Sequence, residues 1–136
     1  MTEDMCILID TFNRSTMRLI NILISYNKSD LLLDQTKRQM SLGVNANPYL
    51  LVNSIGPCFY EYKDQIKNDI VGFLERTDFS KNYQSSENYQ EIEKISKTIR
   101  STWKSFKPKE KEIISDIVIF LYETYIKYLI ACKCEE

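Results

Sequence analysis

Seven cations, Lys94, Lys97, Arg100, Lys104, Lys107, Lys109 and Lys111, stand against one acid, Glu110, between residues 94 and 111; the segment is therefore +6 in a chain that totals −1. Cations spaced along one helix face can neutralise successive phosphates, which is the electrostatic basis of nucleic-acid binding. Just downstream, Glu112, Asp116 and Glu123 fall in one narrow sector of a wheel of roughly 100° per residue. Paired carboxylates can hold a divalent ion or share a proton. Cys132 and Cys134, in "CKC", are the one cysteine pair close in sequence and raise the question of redox or zinc chemistry.

Each set also has a plainer role. Lysine is a favourable solvent-side helix residue whose stem covers apolar surface. The chain has no histidine, and acid-only metal sites with every ligand on one helix are unusual. A four-cysteine zinc site would need Cys6 and Cys58 to converge on the tail, and the spacing of Cys132 and Cys134 is not that of C-x-x-C redox sites. We therefore expect solvated charged faces, idle thiols, and no metal or cofactor.

The lack of histidine also removes His-based acid–base catalysis and the Ser-His-Asp and Cys-His arrangements. Gly43, Gly56 and Gly72 are scattered, so no glycine-rich loop is available to cradle a phosphate. Any enzyme would have to work through Asp, Glu, Lys, Tyr or Cys alone.

The elements that would position these residues are helices. In 136 residues there are three Gly and three Pro, too few breakers for the many turns of a sandwich or barrel, and 43% apolar with 27% charged residues is a globular composition. From Thr2, Met5, Ile9, Phe12, Leu19 or Ile20 and Leu23 recur at steps of three and four, predicting a helix that ends near "SYNKSD". Ser29 can cap a second helix with Asp30 in its first turn and Leu33, Thr36, Met40 and Val44 on one face. Asn47 and Pro48 open a short third helix that Gly56 and Pro57 end; Pro57 then opens a fourth, facing inward with Phe59, Tyr62, Ile66, Ile70 and Phe73 or Leu74.

Residues 76–86, rich in Asp, Ser and Asn, form the longest loop. Ser86 and Glu87 start a fifth helix carrying Ile92, Ile95, Ile99, Trp103 and Phe106, opposite the cationic stripe. Pro108 starts a sixth that runs to about Cys132. Its run "IISDIVIFLYETYIKYLIAC" has the length of a membrane span, but Asp116, Glu123 and Lys127 would each cost roughly 2.5–3.5 kcal/mol at a bilayer centre, so a buried core helix is expected. The fifth and sixth helices are expected to pair as a hairpin around "SFKPK".

Nine Tyr and six Phe are numerous for this length. Aromatics are core material first and interface anchors second; Tyr60, after the Gly-Pro break, and Tyr122 and Tyr125 are the candidates for a protein interface.

"FNRSTMRLINILI" near the start, together with "IRSTWKSFKPKEKEIISDIVIFLYETYIKY" near the end, resembles a pattern of small, uncharacterised helical proteins of large nucleocytoplasmic DNA viruses. The resemblance covers about half of the chain. It implies an intracellular viral protein and carries over no catalytic residue.

We expect an all-α fold: one domain over residues 1–136, a compact bundle of five to six helices with a long apolar C-terminal helix. The expected function is non-enzymatic protein–protein interaction, as an adaptor, a scaffold or a virus–host contact, through exposed aromatics or by docking or oligomerising on a helix face. The competing expectation is a nucleic-acid-binding accessory factor using Lys94, Lys97, Arg100, Lys104 and Lys107. The four cysteines and the lack of a signal-like opening favour a reducing intracellular compartment and no membrane association.

Overall fold

The computed structural model describes residues 3–135, with side chains through residue 133. It is 82% helix, without strands among the described residues. Seven α-helices follow in order: α1 Glu3–Tyr26, α2 Leu31–Ala46, α3 Leu50–Glu61, α4 Lys63–Asn68, α5 Ile70–Arg76, α6 Tyr89–Thr102 and α7 Pro108–Glu135, with a 3₁₀ turn, Trp103–Ser105, between the last two. The apolar positions read from periodicity are the ones that go inside: Met5, Ile9, Phe12, Leu19, Ile20 and Leu23 of α1, Leu33 and Met40 of α2, and Ile92, Ile95 and Ile99 of α6 belong to one buried cluster.

The spine is the pair α1 and α7, which make the most extensive helix–helix packing in the molecule, and α3, α4 and α5 also lean on α7. α7 is long but not apolar all round. Ile114, Ile117, Val118, Leu121, Tyr122, Tyr125 and Tyr128 are buried, while Glu112, Asp116, Phe120, Glu123, Lys127 and Ile130 form an exposed line at steps of three and four. The carboxylates are thus solvated, and no described helix is long and apolar enough to cross a membrane.

Three expectations are corrected. The expected α6–α7 hairpin packing does not form: α6 packs against α5, α2 and α1, and α1 takes the place beside α7 reserved for it. The 3₁₀ turn and Pro108 redirect the chain, and Trp103 and Phe106, 2% and 3% exposed, plug the corner, with the Tyr26 ring 4.7 Å from Phe106. Second, Gly56 and Pro57 lie inside α3, and three short helices replace the expected break and long fourth helix, making seven helices where five or six were expected. Gly56 has no positive φ; it supplies space, since a Cβ there would stand 2.2 Å from Cδ1 of Tyr125. Third, Asp30 and not Ser29 caps α2, its Oδ1 accepting from the Leu33 amide at 3.1 Å.

The long loop spans residues 77–88 between α5 and α6. Phe79 is buried in it, its ring 5.1 Å from Phe59 and 5.9 Å from Phe73. Asp78 accepts from the Ser80 amide at 3.0 Å, and the Tyr83 hydroxyl donates to the Pro57 carbonyl at 2.8 Å.

Candidate functional site

The cationic stripe forms on α6 and the corner after it, but its members differ in what they do. Lys94 Nζ lies 2.7 Å from Asp30 Oδ2, with side chains 23% and 27% exposed, so this cation ties α6 to the start of α2. The same contact, helped by the Leu33 amide, holds the Asp30 carboxyl below its usual range. Arg100 reaches Asp78 at 4.0 Å. Burial pushes the Asp78 carboxyl up, but hydrogen bonds from Ser80 and the Arg100 charge outweigh it and hold the carboxyl below its usual range. Lys111 sits over the Trp103 ring, 5.7 Å from its centroid. Lys97, Lys104 and Lys107 stand exposed. Of the five expected contact residues, two are therefore spent on the fold.

The tyrosines expected at an interface divide in another way. Tyr122 and Tyr125 are 6% and 8% exposed and belong to the core, which corrects their assignment to a surface; Tyr60, 41% exposed, remains outside. Tyr125 fills the space left by Gly56, between the Tyr60 and Tyr128 rings, each 6.3 Å away. Lys63 Nζ covers the Tyr60 ring at 4.8 Å and Lys67 Nζ the Tyr122 ring at 5.7 Å, so these aromatics already have cationic partners within the chain.

Cys58 is buried, its thiol donating to the Ser54 carbonyl at 3.3 Å, and burial pushes its pKa up to about 12. Such a thiol is a packing group, not a nucleophile. Cys132 is half-buried beside Tyr128, whose hydroxyl is raised first by burial and then by its hydrogen bond with Cys132. The side chain of Cys134 lies outside the described residues. Among the described residues no three His, Cys, Asp or Glu side chains are grouped so as to hold a metal ion.

The surface that periodicity did not single out is the outer face of α2. Of its sixteen residues only Leu33, Thr36 and Met40 are buried. Leu31, Leu32 and Leu42 are 78%, 64% and 58% exposed, the first two being the most exposed large apolar residues described. Leu31 and Leu42 are eleven residues apart, about three turns and roughly 16 Å along the axis, so they share one line of the helix. Between them on that face lie Asp34, Gln35, Arg38 and Gln39, all exposed. Grooves flank the helix: one of about 660 Å³ against α1, lined by Arg14, Met17, Arg18 and Val44 among others, and one of about 440 Å³ against α6, lined by Leu32, Gln39, Glu93 and Lys97 among others. The available signal was "DLLLD": three successive leucines cannot share one inward helix face, and with Leu33 inside, Leu31 and Leu32 are left over.

Compared with protein-family models, curated proteins and solved structures, the chain matches none.

Proposed function

We propose that the protein is a non-enzymatic interaction module that binds protein through the outer face of α2. One observation carries this reading: a helix of four turns and more gives three residues to the core and presents Leu31, Leu32 and Leu42 to solvent. Covering one leucine is worth about 1.5–3 kcal/mol, and exposed apolar residues gathered on one face mark contact sites more often than scattered ones do. Helix α2 is firmly based for the task. Asp30 caps it and binds Lys94, while Leu33 and Met40, 0% and 1% exposed, root it in the core. Affinity capture with the parent chain and with a Leu31→Asp/Leu42→Asp variant, from the native cell and read by mass spectrometry, tests the proposal. Proteins retained by the parent, including tagged copies of itself, are expected to be lost with the variant; identical retention by both refutes it.

A nucleic-acid role for the α6 stripe is the second reading, favoured by the exposure of Lys97, Lys104 and Lys107. It is weakened by the ion pairs of Lys94 and Arg100. With four exposed cations outside any ion pair among the described residues, Lys109 included, the slope of log affinity against log salt is at most about −3 to −4. Anisotropy titrations with unspecific DNA and RNA at low salt decide: no retention removes this reading, whereas binding abolished by Lys97→Glu/Lys104→Glu establishes it. The viral resemblance bears on the source of the chain and names no contact residue.

A further inference from the structure

Resting on the α2 reading above, we infer that the partner of this face is a second copy of the same chain, with α2 lying antiparallel to α2 of its partner about a two-fold axis near residues 36 and 37. Such an interface must be self-complementary, residue i meeting j while j meets i. An antiparallel register in which paired numbers sum to 73 brings Leu31 onto Leu42 of the other copy at both ends, four leucines in two equivalent contacts. In the middle it sets Arg38 against Gln35 of the other copy and within one residue's rise, about 1.5 Å, of Asp34.

The charge pattern selects this arrangement. Asp34 and Arg38 are one turn apart and both exposed, and among the described residues neither has an ion-pair partner. They sit on the same flank of the Leu31–Leu42 line, and in an antiparallel helix pair like flanks meet. Each Asp34 therefore faces the Arg38 of the other copy, giving two equivalent pairs in the dimer. In a parallel pair unlike flanks meet, so Asp34 and Arg38 would face the Gln35, Gln39 and Leu32 side of the other copy and neither charge would find its complement. On the other flank Leu32 packs along the stem of Gln39 from the other copy. Lys37, half-buried and about 120° from the Leu31 line, points away from the contact. One helix pair with rims from the flanking grooves is at the small end of specific interfaces, so the dimer is expected to dissociate on dilution.

Sedimentation velocity and light scattering of the full chain over a concentration series test this. The expected result is a shift from the 16.1 kDa monomer to twice that mass. Leu31→Asp/Leu42→Asp should raise the midpoint at least tenfold, with an unchanged helical circular dichroism spectrum showing that the fold survives. Asp34→Arg alone and Arg38→Asp alone should each stay monomeric. Mixed in equal amounts, these two should form a heterodimer, and the Asp34→Arg/Arg38→Asp swap should again self-associate. A parent chain that stays monomeric at several hundred micromolar overturns the inference. So does a dimer indifferent to the charge reversals. In either case, α2-dependent retention of a different protein would leave the interaction reading standing, and its absence would remove both.

Discussion

Asp30 is where the fold and the candidate surface meet. Its Oδ1 accepts from the Leu33 amide at 3.1 Å while its Oδ2 lies 2.7 Å from Lys94 Nζ. One carboxylate thus caps α2 and anchors it to α6, directly before Leu31. Losing a cap costs about 1 kcal/mol. A charge-assisted hydrogen bond is worth about 1.5–3 kcal/mol, which we reduce to about 1–2 kcal/mol because both side chains remain about one quarter exposed to screening. Asp30→Ala should therefore cost about 2–3 kcal/mol, and Asp30→Asn, which keeps the cap and removes the charge, about 1–2 kcal/mol. At roughly 3–5 °C per kcal/mol for a chain of this length, thermal melts separate the two. Urea unfolding of the Asp30→Asn/Lys94→Met cycle should give a coupling of about 1 kcal/mol. The pH dependence has a defined sign. The folded Asp30 pKa is lowered below 3.8, so its contribution is fully present above the unfolded value and is lost as pH falls through the folded one. The acid limb of the stability curve should therefore flatten in Asp30→Asn. Equal losses for Asn and Ala, or additivity within about 0.3 kcal/mol in the cycle, would refute the account.

Replacing a helical glycine by alanine ordinarily stabilises by about 1 kcal/mol. Gly56→Ala should instead destabilise, by about 1–3 kcal/mol of overpacking, because its Cβ would meet Tyr125 at 2.2 Å; a variant as stable as the parent in urea contradicts the close approach. Tyr83→Phe should lose about 0.5–1.5 kcal/mol and speed proteolysis of residues 77–88, since the hydroxyl ties that loop to the Pro57 carbonyl; unchanged cleavage would show that Phe79 suffices. With a pKa near 12 and no exposed surface, Cys58 should be alkylated at pH 8 only as fast as the chain unfolds globally. Native-state labelling of Cys58 at the rate of the exposed Cys6 would contradict its burial.

Periodicity identified most inward faces because a step of three or four residues is a local property. Ile92, Ile95, Ile99 and Trp103 are buried and Lys97 and Lys104 exposed, as the wheel separates them. Which helices then touch is not local. Sequence adjacency suggested that α6 pairs with α7, yet α1, at the far end of the chain, packs against α7 instead. The same gap explains Tyr122 and Tyr125. Their steps around α7 look like surplus aromatics only until α3 brings Gly56 against Tyr125, and that approach is also why a Gly-Pro pair that reads as a stop lies within a helix. Lys94 and Arg100 were legible as cations, but their partners, Asp30 and Asp78, lie 64 and 22 positions upstream and no spacing rule joins them. The leucines of α2 were visible; that the described residues leave Leu31, Leu32 and Leu42 more than half exposed was not.

The embrace of α1 by α7 has a consequence for how the molecule is made. Residues 27–107 separate the two helices, so at ribosomal speeds of about 5–20 residues per second the first waits on the order of ten seconds for its mate. During that interval Phe12, Leu19 and Leu23, all but sealed in the finished molecule, lack their principal cover. Until α7 has been made, α1 can nest only against α2, α3 and α6, the other helices it packs against, and the centre closes when α7 arrives.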